Sequence, residues 1–380
     1  MKKGWISLAP CMLALLLVFT SCRKEGISDE QKEILIKLLG GKSGKATVSV
    51  YATGLNNPRG LKFRADGTLY VAEGGTGGTI STVGICEQVP PPVGPYHGNP
   101  TGGRISMISK NGVRTTLTDQ LPTTKGNELS GGDISGVASV EFVGTGLYAL
   151  VTAGGCSHGN PGFPNSVIKV NPDGTYHLVA DLSAWAHSHP VAKPNAGDFE
   201  PDGDWYSMVN VNGDLYVVEA NRGELVKVAT GGNVSRIMDV SESLGHIVPT
   251  SIAYNGNIYF GNLHPFPIVN GSSNIYKLNG STASVYASGL TTVLGLVAGK
   301  NDCLFVLQNT TDNPFPTPSA GSIVSIDKYG KKETIATGFN LPTGMTMGPD
   351  GNLYVSNVGF GPGALGGGQI LKVDISQFAF

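Results

Sequence analysis

The sequence is poor in charged and aromatic residues. Charged residues make up 14% of the 380 residues, aromatic residues 8%, and the formal net charge is −2. A chain this close to neutrality gives no electrostatic reason to expect a nucleic-acid partner. Apolar residues reach 40% and alternate as they do in strands, which argues against disorder. The composition therefore favours a folded domain that does not bind nucleic acid.

Motifs of several enzyme classes are also missing. The chain has no HExxH motif and no GxSxG motif between a strand and a helix, so nothing indicates zinc-dependent or covalent hydrolysis. The glycine-rich stretch 74–78 follows a strand pattern but precedes another loop rather than a helix. Without a helix N-terminus after it, this stretch does not predict a phosphate-binding loop.

Glycine and proline, in contrast, are abundant, with 55 and 23 residues. So many turn formers predict an all-β chain of short strands. One unit organises it, first seen at 53–73 as TGLNNPRGLKFRADGTLYVAE and again at 337–357 as TGFNLPTGMTMGPDGNLYVSN. Each copy reads as a loop, a strand, a tight Asp-Gly turn and a second strand.

Six copies of this unit can be aligned on the apolar centre of the second strand. The later copies follow one another at intervals of 43 to 49 residues, the length of a four-stranded propeller blade, and the two longer intervals contain insertions. We therefore predict a six-bladed β-propeller with strands a, b, c and d in each blade. The six centres are Tyr70, Tyr148, Tyr216, Tyr259, Phe305 and Tyr354.

The last copy ends after strand c. The segment TVSVYATGL at 47–55 matches TASVYASGL at 282–290, which is a strand d in its own copy. We expect this N-terminal strand to complete the last blade and close the ring. The alternative, an open six-unit solenoid, would need a cap at each end, and the sequence shows none.

Residues 1–21 resemble a bacterial lipoprotein signal peptide. Lys2 and Lys3 precede a short apolar run at 12–19, which ends in Phe-Thr-Ser before Cys22. We expect Cys22 to be lipidated and to anchor the protein to the cell envelope, at the outer membrane, in the periplasm or at the cell surface. The alternative is a plain secretory signal. Residues 22–45 read as a tether with one short helix, and 46–380 as the propeller.

The insertions concentrate on one face of the predicted propeller, here called the loop-rich face; the opposite plain face carries the tight a–b and c–d turns. Such a face is where a binding site is expected. Of the histidines, only His177 falls in a predicted strand, and His187 and His189 form the closest pair for metal binding or acid–base chemistry. The alternative is that histidine collects in polar loops. The predicted insertions are 74–103, 153–165, 183–203, 262–273, 310–321 and 359–367; the loop histidines are His97, His158, His187, His189, His246 and His264.

Polar residues also surround the predicted mouth of the central channel. Oxygen ligands that converge on an axis suit Ca²⁺ or another divalent cation. The alternative is that these groups satisfy loop backbone and ordered water. The candidates are Arg59 at the start of strand a in blade 1, and Glu73, Glu219, Asn221, Asn262, Asn309 and Asn357 near the ends of strands b.

Three cysteines and two phenylalanines complete the candidates. Cys86 and Cys156 lie in insertions of adjacent blades and can either form a disulfide or remain free thiols. Cys303 is expected to be buried in strand b of blade 5. Phe266 and Phe315 lie in proline-rich loops that are expected to pack onto their own blades, with ligand contact by the two residues as the alternative.

Four stretches, 54–78, 171–185, 249–262 and 285–290, resemble the ScyD/ScyE family of exported bacterial propellers, which is related to the NHL and SMP-30 six-bladed group. The resemblance covers roughly 47–373. It implies the propeller fold and supplies no catalytic residue. SMP-30-like lactonases hold a central metal with Glu, Asn and Asp side chains. Only Glu73, Asn221, Asn309 and Asn357 loosely imitate that set, at strand ends and outside a matched motif.

Two functions remain open from the sequence. The first is a lipid-anchored binding or scaffold module whose loop-rich face holds a small molecule, a glycan or a protein. The second is a metal-dependent, lactonase-like hydrolase at the channel mouth.

Overall fold

The chain forms six β-sheets in a ring, as seen in a computed structural model that describes residues 46–130, 132–361 and 363–378. The predicted signal peptide, Cys22 and the tether lie outside the described residues. None of the helices within these ranges has the length and hydropathy to cross a bilayer.

The first three blades follow one another along the chain. Blade 1 consists of β2 (Pro58–Phe63), β3 (Leu69–Glu73), β4 (Ile80–Ser81), β5 (His97–Ile108), β6 (Arg114–Lys125) and β7 (Ile134–Ser135). Blade 2 consists of β8 (Val137–Val143), β9 (Gly146–Val151), β10 (Ser166–Val170) and β11 (Tyr176–Asp181). Blade 3 consists of β12 (Trp205–Val211), β13 (Asp214–Glu219), β14 (Glu224–Val228) and β15 (Val234–Asp239).

The remaining blades have four strands each. Blade 4 consists of β16 (Pro249–Tyr254), β17 (Ile258–Asn262), β18 (Ser273–Asn279) and β19 (Thr282–Leu290). Blade 5 consists of β20 (Val293–Ala298), β21 (Leu304–Gln308), β22 (Gly321–Ile326) and β23 (Lys332–Phe339). Blade 6 consists of β24 (Gly344–Met347), β25 (Leu353–Asn357), β26 (Gly368–Asp374) and β1 (Thr47–Leu55). Short helices are α1 (Leu182–Ser188), α2 (Val240–Leu244), α3 (Ala364–Gly367) and the 3₁₀ turns Glu128–Ser130, Cys156–His158 and Ala196–Asp198.

The N-terminal strand closes the ring, as the sequence predicts. β1 pairs antiparallel with β26 from Thr47 opposite Asp374 to Leu55 opposite Gly368. The inner strands of the first and last blades also meet, because Thr343 Oγ1 donates a hydrogen bond to Pro58 O at 2.5 Å. A Cβ on Gly344 would lie 2.5 Å from Arg59 O, so only glycine permits this approach. The six-bladed propeller prediction is confirmed.

The hydrophobic core lies between adjacent sheets. Among the described residues, Trp205 is the largest fully buried side chain, and it belongs with Leu150 and Leu182 to the cluster between blades 2 and 3. Phe305 and Phe339 belong to the corresponding cluster between blades 5 and 6. Because each blade is apolar on both faces, a single blade could not bury its surface alone.

Blade 1 differs from the prediction of one long loop at 74–103. β5 and β6 extend beyond the other strands on the loop-rich side, with His97 opposite Lys125 and Asn99 opposite Thr123. β4 pairs with the start of β5 through Ile80 and Gly98. His97 therefore begins a strand rather than lying in a loop. The extension of β5 and β6 could not be predicted from the sequence, because prolines and glycines interrupt the apolar pattern of these strands.

Candidate binding site at the channel mouth

The polar residues near the ends of strands b all form hydrogen bonds with backbone groups. Each side chain forms a hydrogen bond with backbone at the loop-rich end of the inner strands or, for Asn221, with the loop that leads to β12. These bonds hold the loops in register and satisfy backbone groups that would otherwise be buried without a partner. The bonds run from Asn56 N to Glu73, Asp204 N to Glu219, Asn340 N to Asn357, and from Asn221 to Asp198 O, Asn262 to Ile247 O and Asn309 to Pro342 O.

Glu73 and Glu219 are fully buried. Glu73 forms an ion pair with Arg104, whose Nε lies 2.9 Å from Oε1, and it also accepts a hydrogen bond from Ser106. Glu219 accepts backbone hydrogen bonds from Arg222 (2.7 Å) and Gly223 (2.9 Å). Both side chains therefore form their hydrogen bonds and ion pairs within the folded protein. A direct role for either in ligand binding, which the sequence suggested, is not supported by their positions.

Arg59 does lie at the channel mouth. Its guanidinium donates to Asp133 Oδ1 at 2.9 Å and to Ile134 O at 2.7 Å. The Asp133 side chain is 36% exposed, so this ion pair is open to solvent on the acidic side. Next to it, burial and the carboxylates of Asp204 and Asp133 raise the pKa of Tyr206 above its usual value, although the Arg59 charge opposes this. Tyr206 also lines the channel.

A short stretch before β12, residues 198–204 with the sequence DFEPDGD, supplies most of the charge at the mouth; we call it the acidic segment. Its carboxylates pair with histidines from three other parts of the loop-rich face. His246 Nε2 lies 2.8 Å from Asp198, His158 Nε2 3.0 Å from Glu200, and His187 Nε2 3.2 Å from Asp202. The acidic segment therefore connects blade 3 with the loops of blades 2 and 4.

The contact between His158 and Glu200 is fully buried. Glu200 also accepts a hydrogen bond from the Tyr96 hydroxyl at 3.2 Å, and the Tyr96 ring packs 4.9 Å from the His158 ring. Although burial opposes the imidazolium, the hydrogen bond and charge of Glu200 raise the pKa of His158. Burial likewise opposes the Asp202 carboxylate, yet hydrogen bonds from Ser157 lower the pKa of Asp202.

Ser157, His158 and Glu200 contain the three residue types of a Ser-His-acid hydrolase triad. Ser157 Oγ lies 3.4 Å from His158 Nδ1, but its hydroxyl donates to Asp202 at 2.6 Å. Ser157 and His158 are 1% and 2% exposed, so a substrate cannot reach the hydroxyl. The arrangement is therefore structural.

Asp204 differs from the other carboxylates of the acidic segment in its hydrogen-bond partner. Its carboxylate is half-buried and accepts a hydrogen bond from the neutral hydroxyl of Thr152 at 3.0 Å; within the described ranges no cationic side chain forms an ion pair with it. Burial, and next the negative charge of Glu200, raise the pKa of Asp204 to about 7. A carboxyl group with this pKa can either bind a ligand's donor group or transfer a proton at neutral pH.

The channel below this mouth is lined by the inner strands of all six blades. It holds a cavity of about 240 Å³ between β2, β8, β12, β16, β20 and β24. Lys62 and Glu141 form an ion pair of 2.8 Å toward the plain end. The cavity is large enough for ordered water or for part of a small ligand.

The predicted metal site does not assemble. In the described part of the chain, no three His, Cys, Asp or Glu side chains are grouped so that they could hold a metal ion. His187 pairs with Asp202, whereas His189 stacks on Trp185 at 3.7 Å, so the two histidines do not act as one pair. Within the described ranges, the histidines and carboxylates therefore do not form the ligand group of a central metal.

The remaining candidates have clear positions. The Sγ atoms of Cys86 and Cys156 are bonded and link the loops of blades 1 and 2. Cys303 is buried immediately before β21. The side chains of Phe266 and Phe315 are 50% and 63% exposed, so both rings are accessible for ligand contact, the alternative role considered above.

Comparisons with known proteins support the fold. No protein-family model and no curated protein matches the sequence. Among solved structures, a protein of Thermus thermophilus provisionally assigned as an oxidoreductase (glucose dehydrogenase) has a TM-score of 0.54 at 15% identity, covering 87% of this chain and all of that one. A gluconolactonase of Xanthomonas campestris has 0.51 at 11% identity, covering 87% and 90%. The calcium-binding protein regucalcin of Agrobacterium tumefaciens has 0.50 at 13% identity, covering 85% and 93%. At these identities the likeness establishes the six-bladed propeller fold.

Sequence reasoning missed the acidic segment. The signal that could have found it is the carboxylate at every second position, 198, 200, 202 and 204, directly before an inner strand. Strand alternation would have placed these groups on one side of the segment. In the structure, the segment instead directs three of them to three different histidines.

Proposed function

We propose that this protein is an exported, lipid-anchored binding module that holds a small polar ligand at the channel mouth above blades 1 to 3. The observation that carries the proposal is Asp204, a half-buried carboxyl group at the mouth without a cationic partner in the described ranges. Its neighbours Asp133, Arg59 and Tyr206 offer further hydrogen-bonding groups. This set suits hydroxyl or amine groups of a ligand.

The anchor and the family are part of the same proposal. Lipidation of Cys22, retention at the cell envelope and membership of the ScyD/ScyE family are consistent with the signal-like N-terminus and the propeller. β1 begins at the plain face, since Thr47 pairs with Asp374 at the end of β26. The chain therefore enters the propeller opposite the proposed site, which leaves the loop-rich face accessible.

Binding can be tested by a thermal-shift screen with monosaccharides, sugar lactones and small amines. We expect at least one compound to raise the melting temperature of the wild type but not that of Asp204→Asn. The matched control is Asp312→Asn, an exposed carboxylate on the blade 5 loop, which should respond like the wild type. If no compound stabilises the wild type, or if Asp204→Asn responds equally, the proposed site is incorrect.

A second candidate function is a lactonase-like hydrolase, which the pKa of Asp204 favours. With a pKa of about 7, Asp204 can accept the proton of a water molecule that attacks a lactone carbonyl. The SMP-30-like metal set is not assembled here, so no step is assigned to a metal. Hydrolysis of gluconolactone followed in a pH-stat should rise through pH 7 and be lost in Asp204→Asn. A rate equal to the uncatalysed one would exclude this candidate for that substrate.

A further inference from the structure

The outer strands of the six blades differ in how they protect their free edges. Charged residues and prolines on an edge strand prevent it from pairing with another strand. The outer strands β6, β11, β15 and β23 each carry at least one such residue. β1 and β19 carry none: their sequences are TVSVYATGL and TASVYASGL.

The edge of β1 is covered at Tyr51 by the adjacent blade. The Tyr51 hydroxyl donates to Ser109 O at 2.8 Å, in the c–d turn of blade 1. In the same turn, a Cβ on Gly112 would lie 2.2 Å from Tyr51 O, so the turn rests directly on the strand edge. This contact, rather than a charged side chain, protects the edge of β1 from pairing with another strand.

The equivalent edge of β19 is open among the described residues. The corresponding turn of blade 5 contains Gly330, and a Cβ placed there would meet no atom within 4 Å. The side chain of Val285 is 57% exposed, and Thr282 and Ser284 are exposed as well. Lys332 Nζ reaches Ser288 O and so protects only the last part of the strand. The Tyr286 ring packs toward blade 5, but no described residue of that blade forms a hydrogen bond with the backbone edge of residues 282–286.

We propose that residues 282–286 of β19 pair antiparallel, around a two-fold axis, with the same residues of a second copy of this chain. The segment is suited to itself because such pairing brings no charged side chain into the new ladder. It places Ala283 opposite Val285, Thr282 opposite Tyr286 and Ser284 opposite its own copy. Since β1 is covered, the nearly identical second edge cannot extend the assembly. Pairing therefore ends at a closed dimer rather than a filament.

The test is the sedimentation of the full chain in density-matched detergent over a range of concentrations. We expect the wild type to dimerise reversibly. Ser284→Lys places two like charges in the new ladder and should raise the dimer dissociation constant by at least about tenfold. The matched control is Ser49→Lys, at the equivalent exposed position of covered β1, which should change the constant by less than about twofold.

Two outcomes would overturn the proposal: a wild type that stays monomeric at all concentrations, or a dimer that tolerates Ser284→Lys as well as it tolerates Ser49→Lys. Melting temperatures of both variants verify that each is folded. The proposed dimer contact does not include the channel mouth, so Asp204→Asn should dimerise like the wild type. Failure of ligand binding and failure of this pairing can therefore be told apart.

Discussion

At the scale of single residues, Glu73 and Asp204 show how environment separates two carboxyl groups near the same channel mouth. Glu73 is fully buried, and its charge is balanced by Arg104. Removing one partner of such a pair leaves a buried charge without compensation, so substitution would mainly report on stability. Among the described residues, the Asp204 carboxylate accepts a hydrogen bond from the Thr152 hydroxyl alone, and it is partly accessible to solvent. Binding or catalysis is therefore better tested at Asp204 than at Glu73.

The raised pKa of Asp204 predicts how stability depends on pH. Asp204 titrates at about 7 in the folded protein and at about 3.9 when unfolded. Its contribution to stability is therefore fully present below about pH 4 and is lost as the pH rises through about 7. We expect the melting temperature of Asp204→Asn to fall less over this range than that of the wild type, as measured by scanning calorimetry.

Asp202 provides a control, because its pKa is shifted in the opposite direction from that of Asp204. Its folded pKa is lowered, so its contribution to stability is present above about pH 3.9 and is lost as the pH falls below that value. Asp202→Asn should be less stable than the wild type near pH 7 and approach it in acid. Parallel pH profiles for the wild type and Asp204→Asn would show that Asp204 does not titrate as described.

At the scale of elements, β1 ties the beginning of the propeller to its end. Its buried residues Ala52 and Leu55 belong to the cluster that contains Leu61 of β2 and Ile370 of β26. This strand therefore contributes both hydrogen bonds and apolar surface to the closing blade. Pairing strands that lie this far apart in the sequence closes a long loop, which costs chain entropy.

A substitution in β1 should consequently affect the whole domain. Leu55→Ala removes a fully buried side chain and should lower the free energy of unfolding by about 2–5 kcal/mol. Thr53→Ala, at an exposed position of the same strand, should change it by less than about 0.5 kcal/mol. Urea unfolding followed by fluorescence measures both. Equal stabilities would mean that β1 does not hold the closing blade as the structure indicates.

At the scale of the whole molecule, the two faces of the propeller carry different structural features. The plain face receives the chain at Thr47 and carries the short turns. The loop-rich face carries the acidic segment, the Cys86–Cys156 disulfide and the exposed Phe266 and Phe315. The proposed site therefore lies on the face opposite the one where β1 begins.

Lipidation itself can be measured in cells. We expect Cys22→Ala to move the protein from the membrane fraction to the soluble fraction, and globomycin to cause accumulation of the unprocessed chain. Cys303→Ala, which removes a buried thiol, should leave the membrane fraction unchanged. Unchanged processing and fractionation of Cys22→Ala would instead favour a plain secretory signal.

The sequence alone determined the number of blades, the positions of the strand centres and the closing strand. These features follow from local rules, because alternation of apolar residues and Asp-Gly or Asn-Gly turns specify strands and hairpins within a few residues. The similarity of 47–55 to 282–290 then identified β1 as a strand d.

Only the tertiary structure decided which polar residues remain available at the mouth. Glu73 lies near the predicted mouth, yet Arg104, 31 positions later, balances its charge. His158 and Glu200 are 42 positions apart and meet because separate loops converge on one face. Likewise, the matching strands β1 and β19 differ in cover because of neighbouring turns. Such contacts depend on how blades are placed in space, and a linear pattern does not contain that information.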